Sequence, residues 1–243
     1  MRNAFGRMLL TAAATVLLFS LCNPARAQQY LWADAFGSSS ATASSAAVAV
    51  DGHSDIVIGG SFSGSIDFGE GAIRSSGGPD GFLAKYSGVD GRPQWSLHIG
   101  GAGAVTNVNS VAADDAGGVY ATGSFTGTVN FPGGTFTSAG QNDVLLMKFD
   151  ATDGAYVWSV QIGGTGAAAA YGVEADASGS VIVTGYFSGT ADFGGTRFVS
   201  SSTSGFVAKY SAASGEYLWR KPLEALAGPS APVSPRVSMA RSR

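Results

Sequence analysis

The sequence ATGSFTGTVNF occupies residues 121–131, and close variants of it stand about 62 residues to either side. The upstream copy is GGSFSGSIDFG at 59–69, and the downstream copy is VTGYFSGTADFGG at 183–195. In each copy β-branched and aromatic residues are mixed with Gly, Ser and Asp, a composition typical of strands bounded by tight turns. Three copies at an even step indicate a repeat architecture, in which each unit stacks on its neighbours.

Tryptophans set the period of this repeat. Trp32, Trp95, Trp158 and Trp219 follow one another at steps of 63, 63 and 61 residues. Other columns keep nearly the same step, and they are Gly60/Gly123/Gly185, Phe62/Phe125/Phe187, Asp51/Asp114/Asp176 and Lys85/Lys148/Lys209. This agreement predicts three structural copies of one unit.

The middle copy predicts four strands, which are VNSVAAD, GVYATGSFTG, DVLLMKFD and YVWSVQIG, with a hairpin-like stretch between the second and third. Residues 144–147 are apolar without alternation, so both faces of the third strand should be covered. The fourth strand alternates apolar with polar residues, so it should lie at the outer edge of the sheet with one face exposed to solvent. We therefore predict an all-β chain of three tandem four-stranded antiparallel blades, a partial or truncated β-propeller.

The units resemble the bacterial β-propeller repeats called SBBP. The resemblance rests on the three segments quoted first, on DGFLAKYS at 80–87, on SGFVAKYS at 204–211 and on the tryptophan strands. It covers residues 31–223 and implies a propeller architecture and an extracytoplasmic location. It supplies no catalytic residues that could be assigned to this chain.

The N-terminus has the pattern of a secretory signal peptide. Arg2 and Arg7 accompany the apolar run MLLTAAATVLLFSL, and Ala25-Arg26-Ala27 matches the small-x-small cleavage rule. The run is shorter than the about 20 residues that a membrane span needs. We predict a cleaved signal and a secreted, periplasmic or cell-surface protein without a membrane span, with an uncleaved anchor or a lipidated Cys22 as alternatives.

The repeat boundaries divide the chain into six segments. They are a signal peptide at 1–27, a leading outer strand at 28–37, blade 1 at 38–100, blade 2 at 101–163, blade 3 at 164–223 and a disordered tail at 224–243. Pro229, Pro232 and Pro235 exclude regular structure from the tail. Closed propellers have about 4–8 blades, so the chain is either a genuine short product or a fragment of a larger propeller protein.

Three blades leave two sheet faces uncovered, and repeat stacks need capped ends. We therefore expect self-association, for example two chains in a six-bladed ring, or poor folding. The predicted mature chain holds 11 basic against 17 acidic residues. This balance argues against nucleic acid as a partner, because phosphate binding needs clustered Lys and Arg, and it leaves a protein or a glycan.

Candidate sites in the repeat have structural alternatives. The acidic turns at Asp51–Asp55, Asp114–Asp115 and Asp150–Asp153 could hold calcium, but Asp and Gly are also the residues that tight turns require. The Lys column could face a ligand or pair with the Asp column. The Trp column could stack on sugars or pack between sheets.

Two further candidates are the histidines and the glycine-rich segments. His53 lies in a turn, and His98 lies on the predicted wet face of a strand, where Gln161 is its counterpart, so we expect both to be surface residues. The segments 100–103 and 163–166 lack the Lys and the helix of a phosphate loop and should connect blades.

We predict no catalytic, cofactor-binding or metal residues, and the ligand-binding residues stay unknown. The favoured function is a non-enzymatic scaffold for binding or surface structure, since propellers present variable loops on a rigid frame. A secreted propeller-fold lyase or hydrolase is the alternative, as is a gene fragment without a role of its own.

Overall fold

The computed structural model describes residues 32–33, 35–37 and 41–223; the predicted signal peptide and tail lie outside them. Blade 1 consists of β1 (Thr42–Val50), β2 (Ile56–Ser63), β3 (Ser65–Asp67), β4 (Ala72–Arg74), β5 (Asp80–Tyr86) and β6 (Pro93–Ile99). Blade 2 consists of β7 (Val105–Ala113), β8 (Gly118–Thr126), β9 (Thr128–Phe131), β10 (Gly134–Thr137), β11 (Asp143–Asp150) and β12 (Tyr156–Ile162). Blade 3 consists of β13 (Ala168–Asp176), β14 (Ser180–Asp192), β15 (Arg197–Ser211) and β16 (Tyr217–Leu223).

Each blade is a four-stranded antiparallel sheet. The strand orders are β1-β2-β5-β6, β7-β8-β11-β12 and β13-β14-β15-β16. Between the second and third of these strands, blades 1 and 2 insert the small hairpins β3–β4 and β9–β10, while blade 3 extends β14 and β15 instead. The prediction of three tandem four-stranded antiparallel sheets is confirmed. Within the described part of the chain no helix is long and apolar enough to cross a membrane.

The same irregularities recur in every blade, which shows how closely the units correspond. The first strand shifts register between Ser45 and Ala47, and the other blades do so at the equivalent positions. This bulge brings a backbone carbonyl against Gly60, where an added Cβ would collide with the carbonyl of Ser44. Gly123 and Gly185 meet the same obstacle. The glycine column therefore exists because the bulge leaves no room for a side chain.

Apolar side chains fill the space between neighbouring blades. One buried cluster joins blades 1 and 2 and includes Leu83, Val108 and Met147; a second joins blades 2 and 3 and includes Leu146, Val183 and Phe206. All of residues 144–147 are buried, as the absence of alternation predicted. In blade 3, by contrast, Ile182 is only half-buried, because within the described residues no further blade covers its face of the sheet.

The described part of the leading segment packs on blade 1. Residues 32–33 and 35–37 have no strand assignment. Trp32 and Phe36 nevertheless lie against the cluster that contains Phe62, Phe82 and Tyr86. The tryptophan of this segment thus stands next to blade 1 as those of the later copies stand next to the following blade.

Candidate functional site

The recurring Trp and Lys form a clamp between consecutive blades. Trp95 and Lys85 are direct neighbours on β6 and β5 of blade 1. The Trp95 Nε1–H donates to the carbonyl oxygen of Ala151 in blade 2 at 3.1 Å, and Lys85 Nζ donates to the same oxygen at 2.7 Å. Gly154, three residues further on, lies under the indole in a left-handed conformation, where a Cβ would come within 3.0 Å of the ring. We call the carbonyl and the glycine together the socket of the next blade.

The second clamp repeats the first one. Trp158 Nε1 and Lys148 Nζ donate to the carbonyl oxygen of Ala212 at 3.1 and 2.8 Å. Gly215 lies under the indole, and a Cβ added to it would lie 2.8 Å from the Trp158 ring. Trp95 and Trp158 are 6% and 7% exposed. Both tryptophans pack between sheets, as one of the two hypotheses for the Trp column predicted.

The Lys column pairs with the Asp column in two of the three blades. Lys85 Nζ lies 2.6 Å from Asp51 Oδ2, and Lys209 Nζ lies 2.6 Å from Asp176 Oδ2. In blade 2 the hydroxyl of Tyr120 donates to Asp114 at 2.6 Å instead, and Lys148 lies over the Tyr120 ring. Burial together with this bond raises the pKa of the Tyr120 hydroxyl.

The carboxylates of these pairs are held in their charged form. Burial favours the neutral acid of Asp51, but hydrogen bonds from Lys85 and from two backbone N–H groups outweigh it and lower the pKa of Asp51. Hydrogen bonds from Lys209 and Ser178 hold the pKa of Asp176 below its usual range. The Asp51–Lys85 and Asp176–Lys209 pairs are therefore charged, and protonating either carboxylate costs stability.

The acidic turns satisfy their own backbone. Asp51 Oδ1 accepts from the N–H groups of His53 and Asp55, both at 2.9 Å. Asp114 accepts in the same way from Ala116 and Gly118. These are the turn bonds that one hypothesis for the acidic turns predicted. Among the described residues no three His, Cys, Asp or Glu side chains are grouped so that they could hold a metal ion.

The two ends of each blade carry different loops. The turn between the first and second strands lies beside the turn between the third and fourth, as the bond from Ala151 N to Gly117 O shows in blade 2. We call this end the turn rim. At the other end, the hairpin rim, the connection from blade 1 pairs at Gly100 with Asn130 of β9. The glycine-rich segments are thus blade connections, and they lie beside the hairpin rim of the next blade.

A cleft opens on the turn rim between blades 2 and 3. It is lined by residues 113–116 of blade 2 and by Ala175, Asp176, Ala177 and Gly179 of blade 3, and its volume is about 400 Å³. This lies within the about 300–1,000 Å³ of small-ligand sites. Asp115 is exposed there, whereas the equivalent positions hold Gly52 and Ala177. Asp115, which does not recur in the other blades, therefore lines this cleft.

A second buried column of carboxylates lies outside the predictions made from the sequence. Asp80 and Asp143 are fully buried at the start of their strands. Asp80 accepts from His98 Nε2 at 2.7 Å, and Asp143 accepts from Gln161 Nε2 at 2.6 Å. The interpretation of His98 as a mere surface residue was wrong, because its ring binds a buried carboxylate while its side chain is 29% exposed. The shared step of Asp80–Asp143 and His98–Gln161 was the signal that could have shown this.

Comparison with known proteins identifies the repeat. The family described as SBBP, the β-propeller repeat, matches residues 94–128, from the fourth strand of blade 1 into blade 2. No curated protein matches the chain. The crystal structure of BamB from Moraxella catarrhalis is similar at 14% identity and a TM-score of 0.23, over 73% of this chain and 61% of that one. The chain thus spans about three fifths of the length of that protein.

Proposed function

Because the chain carries the SBBP β-propeller repeat, we propose that it is a non-enzymatic scaffold that binds a protein or a glycan through its turn rim. One observation carries the proposal. The recurring Asp and Lys side chains, with Trp95 and Trp158, are engaged within and between blades, whereas Asp115, which is not part of the repeat, is exposed at the turn-rim cleft. Loops on a rigid frame are where binding residues concentrate.

The chemistry of the cleft favours recognition over catalysis. Asp114 is bound by Tyr120 and by turn N–H groups, and Asp176 is bound by Lys209. A general acid or base needs a proton-transfer group with a tuned pKa within reach of a substrate. The carboxylates of Asp114 and Asp176 are instead occupied by structural bonds. Asp115 supplies a negative charge, which suits a ligand with a cationic or hydrogen-bond-donating group.

The proposal includes export, on the basis of the N-terminal pattern described above. The expected mature chain begins at Gln28. Sequencing the N-terminus of the protein recovered from the cell envelope or the medium checks this. Recovery of the intact N-terminus from the cytoplasm alone would contradict export.

The binding proposal is tested with two immobilised probe sets, one of glycans and one of short peptides. We expect the purified protein to bind members of one set and Asp115→Arg to weaken that binding at least about tenfold, since it reverses a charge at the cleft. Glu70→Arg is the matched control, because it makes the same charge change at the exposed hairpin of blade 1. Binding that Asp115→Arg leaves intact excludes the cleft, and chemical turnover of a bound probe overturns the non-enzymatic assignment.

A further inference from the structure

Blade 3 presents a complete half of the clamp on its outer face. Lys209 and Trp219 are direct neighbours on β15 and β16, in the same register as Lys85 and Trp95. Trp219 is 47% exposed, and Lys209 pairs with Asp176 of its own blade. Ile182 pairs with Lys209 across the sheet and shares this face, as does Val207. We call this surface the open face.

Blade 1 presents the other half. The carbonyl of Gly88 and the left-handed Gly91 are the counterparts of Ala151 and Gly154, and therefore form a socket. Trp32 now occupies it, but its Nε1 lies 3.5 Å from the Gly88 oxygen, against 3.1 Å in both clamps between blades. No lysine of the described residues accompanies Trp32 there, so this contact is the weakest of the three.

We infer that the open face of one copy docks on the blade 1 socket of a second copy, with Trp219 and Lys209 replacing Trp32 at the Gly88 carbonyl. The chemistry of this contact is the one that already holds blade 1 to blade 2 and blade 2 to blade 3. The outer faces of blade 3 and blade 1 are therefore complementary to each other, which makes the contact head-to-tail rather than face-to-face.

The area of the contact favours a closed pair of chains. A four-stranded face of about 19 by 17 Å covers about 320 Å², so one junction removes about 640 Å² counting both partners. Stable interfaces bury about 1,200–2,000 Å². Two copies that meet at both ends form two junctions and reach about 1,300 Å², which is sufficient. The resulting ring has six blades, within the range of closed propellers.

One residue on the open face departs from its counterparts and provides a sensitive probe. Glu174 pairs with Ile182 and is exposed, whereas the equivalent positions in blades 1 and 2 hold Ala49 and Ala112, which lie at the blade junctions. If the open face docks a blade as the corresponding faces of blades 1 and 2 do, the Glu174 carboxylate weakens the contact. Removing it should strengthen association without any new contact.

The test measures the monomer–dimer equilibrium of the full chain by sedimentation equilibrium. We expect dimers, a dissociation constant raised at least about tenfold by Trp219→Gln, and one lowered by Glu174→Ala. Leu218→Gln is the matched control, because Leu218 is equally exposed on the opposite side of the same strand and Gln94 is its counterpart in blade 1. It should leave the constant unchanged.

Other occupants of the open face give different results. A persistent monomer that dimerises only after residues 224–243 are deleted would show that the tail covers the face, and would overturn the proposal. A dimer that resists Trp219→Gln, or that Glu174→Ala weakens, would place the contact elsewhere. Circular dichroism confirms that each variant is folded, and the gain expected from Glu174→Ala keeps the proposal testable if Trp219→Gln unfolds the chain.

Discussion

The junction between blades 2 and 3 and the open face of blade 3 are built from the same residues in different surroundings. Trp158 is 7% exposed and donates to Ala212, whereas Trp219 is 47% exposed. Lys148 Nζ donates to a carbonyl of the next blade, while Lys209 pairs with Asp176 of its own blade. A column of identical residues in a repeat therefore has no single energetic role, because the contribution of each member depends on the blade that follows it.

The largest expected difference between these regions lies in the two tryptophans. Trp158→Ala should lower the free energy of unfolding by about 3–5 kcal/mol, because it empties a buried site and removes the bond to Ala212. Trp219→Ala should cost less than about 1 kcal/mol under conditions in which the chain is monomeric, since the indole is half in solvent already. Urea denaturation of the two variants at low protein concentration measures both values. Equal losses would show that blade 3 is covered in the monomer.

The buried pair Asp51–Lys85 and the pair Asp176–Lys209 at the open face should differ in how much stability the protein loses with each of them in acid. The pKa of Asp51 and that of Asp176 are both lowered, so each carboxylate stabilises the fold fully above its ordinary pKa near 4 and loses this contribution as the pH falls through the lowered value. Asp51→Asn should cost about 1–3 kcal/mol at neutral pH, because Lys85, which is 3% exposed, loses its partner at 2.6 Å and keeps Asp55 at 3.2 Å.

Below pH 4 the stability of Asp51→Asn should fall less steeply than that of the wild type, since one fewer carboxylate has to take up a proton. Asp176→Asn is the matched control at the open face, where Lys209 is 20% exposed and solvent screens the pair. Its effect should be smaller at every pH. Urea midpoints between pH 7 and pH 2 measure the slopes, and an Asp51→Asn slope equal to that of the wild type would exclude this role of the buried pair.

The sequence predicted the strands and blades well because each strand carries its own signal. Periodicity, turn residues and the step of the tryptophans are local or recur in every copy. What Trp95 touches is not local, since its partner Ala151 stands 56 residues away in the next unit. The clamps could be anticipated as packing or pairing, but not as a shared carbonyl acceptor, because every residue has a carbonyl and none is marked in the sequence.

The turn-rim cleft could not be predicted for a related reason. It lies between two turns of neighbouring blades, residues 113–116 and 175–179, and its volume depends on how the blades are placed. Asp115 was visible only as half of an acidic pair, which turn chemistry already explained. Only the structure distinguishes the two residues, because Asp114 accepts a hydrogen bond from Tyr120 while Asp115 is exposed to solvent.

The smallest expected differences in stability concern His98 and Gln161, two different side chains that bind equivalent buried carboxylates. His98→Gln should leave the free energy of unfolding within about 0.5 kcal/mol of the wild type, because Gln161 shows that an amide reaches this site. His98→Leu should cost about 1–3 kcal/mol, since Asp80 is fully buried and loses its side-chain donor, keeping the N–H of Ser76. Urea denaturation at neutral pH separates the two, and a His98→Leu variant as stable as His98→Gln would mean that the bond to Asp80 adds nothing to the fold.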